Sequence, residues 1–506
     1  RQINIITDDV KNAINVSSDT RYASKGRFTQ SVNIDVNTGK FGSYTSYRRQ
    51  QAEGWQLNPY EENSKTHELE ETGKVASTGF YANTVNQKFT FDATDKLSFY
   101  ARGGYYDNKT RRPYEAYDYN ILHETFNYGI GAQYMINKGN YITADCYADH
   151  FSSSYCFFKD NKTYNGKAGE EQVRKRTRNH NLSIKGIFKL GNRHKLSVGT
   201  EYIVDVLKSQ TDNIAKEDAY TLALFAQDEI KLLRNLQALI GVRYIYHENF
   251  KNHATPNVAL MYKPGKFNFR ASYAAGFRTP TLSELYATDI AKKNDRLTIG
   301  NLDLKPEKNN YFSLSAEYVH ERFSVSVNAF YNNIRDMIDY NTIATGDKAM
   351  EQYGHKEVRQ RDNIAEAKVH GINVSANAYL GAGFNLSGGY THLNTQDVEL
   401  EQPIDKSIKN AYNINAQWAH SWKIYRLNIN LNGRFNSKRF SKSYGYAPEY
   451  QLWDLNTRHS FNLKSVIIEP GCGMENLFDY MDDRPYNSNY ATLTPGRSFY
   501  ISLSLK

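Results

Sequence analysis

The stretch that decides the fold is Leu236-Gln237-Ala238-Leu239-Ile240-Gly241-Val242-Arg243-Tyr244-Ile245-Tyr246. Apolar side chains stand at every second position of this stretch, and Gln237, Gly241 and Arg243 lie between them. Because successive side chains of a strand point to opposite sides of the sheet, the alternation predicts a β-strand with one apolar face. The same alternation recurs at 126–136, 267–275, 323–331, 427–435 and 499–505.

The segments between the alternating stretches differ in length in a regular way. Short, turn-like segments occur at 37–39, 94–96, 137–140, 191–193, 263–266, 319–321 and 381–383. Long polar segments occur at 51–75, 107–121, 159–175, 207–217, 278–307, 333–363, 394–409, 436–449 and 476–496. Short connections on one side and long ones on the other are typical of outer-membrane barrels. The pattern predicts an all-β fold, an antiparallel transmembrane β-barrel of about 22 strands with short periplasmic turns and long extracellular loops.

The composition fits a barrel better than other classes. The 506 residues include 40 Tyr and 25 Phe, and the mean hydropathy is −0.70. Disordered chains are poor in aromatic residues, and a helical membrane protein needs apolar runs of about 18 residues or more, which the sequence lacks. The net charge of +9 is spread along the chain rather than gathered on one stripe. We therefore expect no nucleic-acid partner, and attribute the excess to a polar lumen or to anionic lipid headgroups.

Three groups of residues resemble the TonB-dependent outer-membrane receptor family. Residues 3–7 resemble the last strand of that family's plug domain. Phe277-Arg278-Thr279-Pro280, followed by Asn301-Leu302-Asp303-Leu304-Lys305-Pro306-Glu307, is similar to its Phe-Arg-x-Pro and Asn-x-x-Leu-Lys-Pro-Glu segments. The closing segment of the family resembles 475–479 and 495–500.

The resemblance implies a domain division and a function. Residues 1–10 would be the last plug strand and the linker, and residues 11–506 the transmembrane barrel. The family imports scarce ligands, usually metal chelates, so the resemblance implies active uptake of a cobalamin, siderophore or haem. The haem receptors commonly place an axial His in the loop at 281–300, which holds no His here, and this favours cobalamin or a siderophore. A passive pore or surface-binding receptor on the same barrel stays open, as does a soluble β-rich binding protein.

Candidate ligand-binding residues lie in three of the long segments. In 278–307, Arg278, Tyr286 and Arg296 could contact an anionic or aromatic ligand, although Arg278 could equally be a rim residue. In 333–363 the candidates are Tyr340, Tyr353 and His355, the last because imidazole suits iron and cobalt. In 51–75 they are Trp55 and Tyr60, whose rings could stack on a flat macrocycle or serve as interfacial aromatics.

The remaining expectations concern catalysis, cofactors and partners. No catalytic motif is present, so we expect no enzyme, no protein-bound metal and no cofactor beyond the Fe or Co that the ligand carries. Glu68, Glu70 and Glu71 leave loop calcium open without a recognisable spacing. The resemblance implies the TonB energy-transducing complex as partner, acting through an N-terminal plug. Membrane lipid or lipopolysaccharide surrounds such a barrel, and a surface lipoprotein over its mouth remains open.

Overall fold

The computed structural model describes residues 14–63, 66–291, 295–492 and 494–506. The predicted plug strand at residues 3–7, and the segment 1–10 around it, lie outside the described residues. The strands in chain order are β1 Ile14–Ala23, β2 Arg27–Asn37, β3 Phe41–Ala52, β4 Tyr60–Glu62, β5 Leu69–Glu71, β6 Gly79–Asp92, β7 Leu97–Arg111, β8 Tyr119–Asn137, β9 Asn140–Phe157, β10 Glu171–Leu190, β11 His194–Ser209, β12 Ile214–Leu233, β13 Leu236–His247, β14 Lys251–Tyr262, β15 Phe267–Arg278, β16 Thr288–Ala291, β17 Arg296–Ile299, β18 Glu307–Val319, β19 Phe323–Thr345, β20 Glu357–Gly381, β21 Phe384–Asp397, β22 Asn410–Trp422, β23 Tyr425–Asn436, β24 Arg439–Ser441, β25 Gly445–Ala447, β26 Tyr450–Leu463, β27 Val466–Glu475 and β28 Ser498–Leu505. The helices are α1 Leu282–Tyr286 and α2 Gly346–Tyr353.

The long strands form one closed barrel of 22 strands, which confirms the predicted fold. Each barrel strand pairs antiparallel with its neighbours, and the sheet closes where Ser18–Ala23 of β1 pairs with Tyr500–Leu505 of β28. The remaining short strands, β4, β5, β16, β17, β24 and β25, lie in the connections. A closed sheet leaves no unpaired edge, which is what a sheet in lipid requires. Neither short helix, nor any other helix of the described residues, is long and apolar enough to cross a bilayer.

The two ends of the barrel differ as the sequence predicted. At one end, which we call the turn end, all connections are short, and the longest of them are 93–96 and 263–266. At the other, the loop end, the connections are named loop 1 to loop 11 in chain order: 24–26, 53–78, 112–118, 158–170, 210–213, 248–250, 279–306, 346–356, 398–409, 437–449 and 476–497.

Some loop-end connections are shorter than the polar pattern suggested. Loop 5 is a tight turn where the long segment 207–217 was predicted, and most of the predicted loop 333–363 is a hairpin formed by β19 and β20. Loops 1 and 6, for which no long segment was predicted, are tight turns as well. Above the apolar band neighbouring strands can still satisfy each other's backbone groups, so pairing continues into polar sequence. Polar composition therefore marks where the lipid ends, and the strands run on past that point.

The barrel wall has an apolar outward face and a polar inward face. Outward side chains of β13 and β14 such as Ile240, Val242 and Leu260 are 52%, 49% and 47% exposed. On the inward face, Arg243 of β13 forms an ion pair with Glu201 of β11. A row of large apolar side chains this exposed is suited to contact with lipid.

Candidate functional site

Loop 7 is fastened to the barrel by the guanidinium of Arg278. Its Nε and Nη2 donate to Glu307 at 2.8 and 2.6 Å, and Nη1 and Nη2 donate to Glu284 at 2.9 and 3.2 Å. Glu307, the first residue of β18, also accepts from the backbone N–H of Ile338 of β19 at 2.9 Å. Four of the five N–H donors of the Arg278 guanidinium are therefore directed at protein carboxylates.

Glu284 has a second function at the start of α1. Thr281 caps this helix, its hydroxyl accepting from the Glu284 N–H, while the Glu284 carboxylate accepts from the Thr281 N–H at 2.8 Å. Burial acts to raise the pKa of Glu284, but the hydrogen bonds from Arg278 and Thr281 outweigh it, and the pKa is lowered from its ordinary 4.5. The carboxylate is thus held as an anion at neutral pH.

A small apolar cluster lies beneath α1. Leu285, Leu304 and Ile338 are buried together, and Tyr286 packs against them with Phe250 of loop 6. Ser283 donates to Asp212 of loop 5 at 2.6 Å. The predicted ligand residue Tyr286 therefore lies at the packed base of loop 7.

Loops 7 and 8 form one structural unit. β17 of loop 7 pairs in parallel with the start of β20, so that Arg296 lies opposite Glu357. His355 Nδ1 lies 2.9 Å from Asp295 Oδ1, and this hydrogen bond lowers the pKa of Asp295. Tyr353 packs against the buried cluster of Ala344, Ala349 and Val358.

Tyr340 is an exposed candidate residue of this unit. It is 42% exposed, the Arg361 guanidinium carbon lies 3.5 Å from its ring centroid, and Arg361 Nη2 donates to its hydroxyl at 2.6 Å. Arg278, Tyr286, Arg296, Tyr340, Tyr353 and His355 are thus brought together in one unit. Whether they touch a ligand stays a prediction.

Trp55 and Tyr60 lie on the opposite side of the barrel rim. Ten barrel strands, β6 to β15, separate loop 2 from loop 7. The backbone of Trp55 pairs with Ser77, and loop 2 is joined to loop 11, whose Tyr486 N–H donates to the Tyr60 carbonyl at 2.8 Å. Tyr60 is 46% exposed. These two residues therefore cannot share a contact surface with Arg278 through one small ligand, and their ligand function too stays a prediction.

An aromatic cluster that the sequence reading did not single out lies on the inward face between loops 3 and 4. Its members are Tyr119, Tyr155, Phe157 and Tyr164. The rings of Tyr119 and Tyr155 stack with centroids 4.0 Å apart, and those of Tyr155 and Tyr164 meet edge to face at 5.1 Å. Alternation along the hairpin of β8 and β9 could have identified this cluster from sequence. Tyr119 and Tyr155 fall on the face opposite that of the outward residues Phe126 and Tyr128.

Two arginines flank the aromatic cluster. The guanidinium of Arg174 lies 4.9 Å from the ring centroid of Tyr164 and 5.4 Å from that of Tyr155. Arg112 lies 4.8 Å from Tyr119. Arg174 sits at a bulge in β10, where the register with β9 shifts between Val173 and Lys175. Such a bulge redirects a side chain in a way that strict alternation does not predict.

The aromatic cluster borders a cleft in the rim. The cleft has a volume of about 670 Å³, lies between loops 4 and 5, and is lined by Tyr164, Arg174, Lys175, Arg176 and Lys208 among others. Burial raises the pKa of the Tyr164 hydroxyl, so this phenol stays protonated at neutral pH. A protonated phenol donates hydrogen bonds well but is a poor iron ligand, so this region suits the organic part of a ligand.

The described residues do not form a protein metal site. Among them, no three His, Cys, Asp or Glu side chains come together as a group able to hold a metal ion. All three cysteines, Cys146, Cys156 and Cys472, have free thiols.

Comparison with known structures places the same fold in several iron-related proteins. A crystal structure of a variant of the ferric enterobactin receptor PfeA from Pseudomonas aeruginosa matches with a TM-score of 0.81 at 15% identity, covering 97% of this chain and 80% of that one. The siderophore receptor PirA from Acinetobacter baumannii matches with a TM-score of 0.77 at 15% identity, covering 99% and 81%. The FrpB iron transporter from Neisseria meningitidis matches with a TM-score of 0.75 at 13% identity, covering 98% and 82%. At these identities the likeness establishes the fold alone.

The family is established by sequence. A family model described as TonB dependent receptor-like, beta-barrel, matches residues 21–469, which is most of the chain. Members of this family are outer-membrane transporters and not enzymes. In outer-membrane barrels the short turns face the periplasm and the long loops face the cell exterior, which gives the orientation of the turn end and the loop end. The resemblance of the motifs around Phe277 and Asn301 is thereby confirmed, and the chain belongs to the TonB-dependent receptor family, of which it forms the outer-membrane β-barrel.

Proposed function

We propose that this barrel imports a ferric siderophore of anionic, aromatic character, driven by the TonB complex. The single observation that carries the proposal is the inward aromatic cluster with its flanking arginines, Arg112 and Arg174. Flat aromatic rings offer stacking surface, and a guanidinium beside them attracts an anion in a partly desolvated place. The iron and siderophore receptors that share the fold support the same class of ligand.

Haem and cobalamin receive less support from the rim. Loop 7 contains no His within 281–300, and His355 of loop 8 is hydrogen-bonded to Asp295 through Nδ1. Tyr340 is engaged by Arg361 through both ring and hydroxyl. These contacts hold His355 and Tyr340 within the unit of loops 7 and 8, whereas the aromatic cluster keeps ring surface at the lumen.

The proposal is tested by binding to the full-length, membrane-extracted receptor. The probes are ferric enterobactin, a neutral ferric hydroxamate, haem and cyanocobalamin. We expect ferric enterobactin to bind most tightly, and Arg174→Gln to weaken it about tenfold, since a charge-assisted contact contributes about 1.5 kcal/mol or more. Lys162→Gln is the matched control, because it removes the same charge from an exposed position in loop 4, which leads directly into the strand that carries Arg174.

Four results would overturn the proposal. Equal affinity for the neutral hydroxamate would remove the anionic class, and an unchanged affinity in Arg174→Gln would remove the cluster as the site. Uptake of labelled iron that persists in cells without TonB would contradict active import. A large, permanently open conductance of the full-length protein would favour the passive pore.

A further inference from the structure

Three cations occupy the outward face of the barrel near the loop end. On β10, Leu182 and Ile184 are 49% and 46% exposed and belong to the outward apolar row. By alternation Arg178 and Arg176 lie on the same face, successively closer to the loop end. On β11, Lys208 is paired directly opposite Arg176. We call Arg176, Arg178 and Lys208 the outward basic patch.

Within the part of the chain that the structure describes, the members of the patch are not paired with carboxylates. No ion pair among the described residues involves Arg176, Arg178 or Lys208, although all three are exposed. The inward neighbour Lys175, in contrast, lies 3.5 Å from Asp212. The patch therefore keeps its full positive charge toward the surroundings.

The outward carboxylates nearest to the arginines of the patch lie two strands away from them, and each is bound to another residue. Glu124 on β8 lies two strands from Arg176 and accepts from Tyr105 at 2.8 Å. Asp218 on β12 lies two strands from Arg178 and pairs with Lys216 at 3.2 Å. Two strand spacings amount to about 9–10 Å. Glu171 lies further along β10, beyond the bulge at Arg174.

The charge arrangement within the patch is unfavourable without an external anion. Arg176 and Lys208 face each other across an antiparallel pair, where like charges are destabilising. An anion placed between them would relieve this repulsion, and a phosphate offers several oxygens to guanidinium donors in a fork geometry.

The position of the patch selects a lipid rather than a free anion. Arg178 lies four residues beyond Leu182 along a strand, which for a strand tilted by about 45° is about 10 Å above the apolar row. Headgroups lie directly above the hydrocarbon core, at about this level. We propose that the outward basic patch binds the phosphorylated headgroup of a lipid in the outer leaflet of the outer membrane.

The test uses the full-length receptor and native mass spectrometry. The probes are a diphosphorylated glycolipid, the same lipid after enzymatic dephosphorylation, and inorganic phosphate. We expect wild-type protein to retain the phosphorylated lipid, and the triple variant R176Q/R178Q/K208Q to lose at least tenfold in retention. The matched control K138Q/K263Q/K266Q removes three exposed lysines at the turn end, and should retain the lipid as wild type does.

Each other outcome overturns the proposal. Equal loss in the control would indicate unspecific attraction, and equal retention of the dephosphorylated lipid would indicate apolar contact alone. Displacement by millimolar inorganic phosphate, or by ferric enterobactin, would assign the patch to a soluble anion in the rim cleft, which Arg176 and Lys208 also line. If the triple variant folds poorly, the single variants R176Q and R178Q test the same proposal, and each is expected to lose about threefold in retention of the phosphorylated lipid.

Discussion

Replacing Arg278 by Gln would release loop 7, because this guanidinium holds two carboxylates from opposite ends of the loop. The side chains of Glu284 and Glu307 are only 14% and 16% exposed. Without Arg278 they would lie near each other with no cation between them. Buried groups that lose a charged partner carry their full desolvation cost.

The magnitude follows from the four hydrogen bonds that Arg278 donates. Bonds to charged groups contribute about 1.5–3 kcal/mol each at most, and they are not additive. Because the Arg278 side chain is 42% exposed, solvent screening reduces the sum, and we take about 2–3 kcal/mol for the whole clamp. That corresponds to an increase of about 30- to 150-fold in the opening equilibrium of loop 7.

Hydrogen–deuterium exchange of the full-length receptor measures this opening directly. Amides of 279–306 should exchange faster in Arg278→Gln by the factor given, while those of β6 and β7, which lie beside loop 2 on the opposite side of the barrel rim, should not change. The variant Glu284→Gln should show a smaller effect, because Glu307 still holds the guanidinium. A double-mutant cycle between the two positions should yield a coupling above about 0.5 kcal/mol.

The same variant separates a structural function of Arg278 from the ligand contact predicted from sequence. If exchange in 279–306 is unchanged and affinity for ferric enterobactin falls, the clamp reasoning is refuted and Arg278 binds ligand. If exchange rises and affinity falls only as far as in Gly300→Ala, which disturbs the same loop without changing charge, Arg278 acts through loop 7.

Three further predictions use the same protein. Since the pKa of Glu284 is lowered from 4.5, its contribution to loop 7 is complete above that pH and is lost as the pH falls through the lowered value. Exchange of 279–306, corrected for intrinsic rates, should therefore stay constant from pH 7 to about 4.5 and rise below it. The rise should be smaller in Glu284→Gln, where Glu307 and Asp295, whose pKa values are also lowered, still titrate, and a rise as large as in wild type would contradict the assignment to Glu284. Glu475 of β27 forms ion pairs with Arg21 of β1 and Arg27 of β2, across the strand pair that closes the barrel. Glu475→Gln should therefore lower, by a few degrees, the temperature at which the folded band disappears in a heat-modifiability gel. An unchanged temperature would show that these ion pairs do not stabilise barrel closure. A Cβ on Gly300 would lie 2.4 Å from the backbone oxygen of Leu285, so Gly300→Ala should speed exchange in loop 7 without affecting strands β6 and β7; protection equal to wild type would show that the loop absorbs the methyl group.

The barrel was predictable because its determinants are local. Alternation along a strand depends only on which side faces lipid, and the alternating stretch Leu236–Tyr246 lies within β13 as predicted. The strand that closes the barrel was also predictable from sequence. Phe499, Ile501 and Leu503 alternate with polar residues and form the outward face of β28, which pairs with β1.

The rim was less predictable because its contacts are not periodic. Nothing near Arg278 in sequence identifies Glu307 as its partner, since the two meet only through the pairing of β15 with β18. The parallel pairing of β17 with β20 joins residues about sixty positions apart. The inward direction of Arg174 depends on a single bulge. Residue type suggested ligand contacts for Arg278 and His355 but did not reveal that these side chains also hold loop 7 and loop 8 in place.

These contacts imply a division of the rim into two halves. On the side of loops 7 and 8, polar groups are used in holding loops to strands, as Arg278 and His355 show. On the side of loops 3 to 5, Arg174 and the aromatic cluster direct cation and ring surface to the lumen. A ligand that binds the second half would gain affinity without breaking any loop anchor. Substitutions in loops 3 to 5 should then alter affinity alone, whereas those in loops 7 and 8 should alter loop order first.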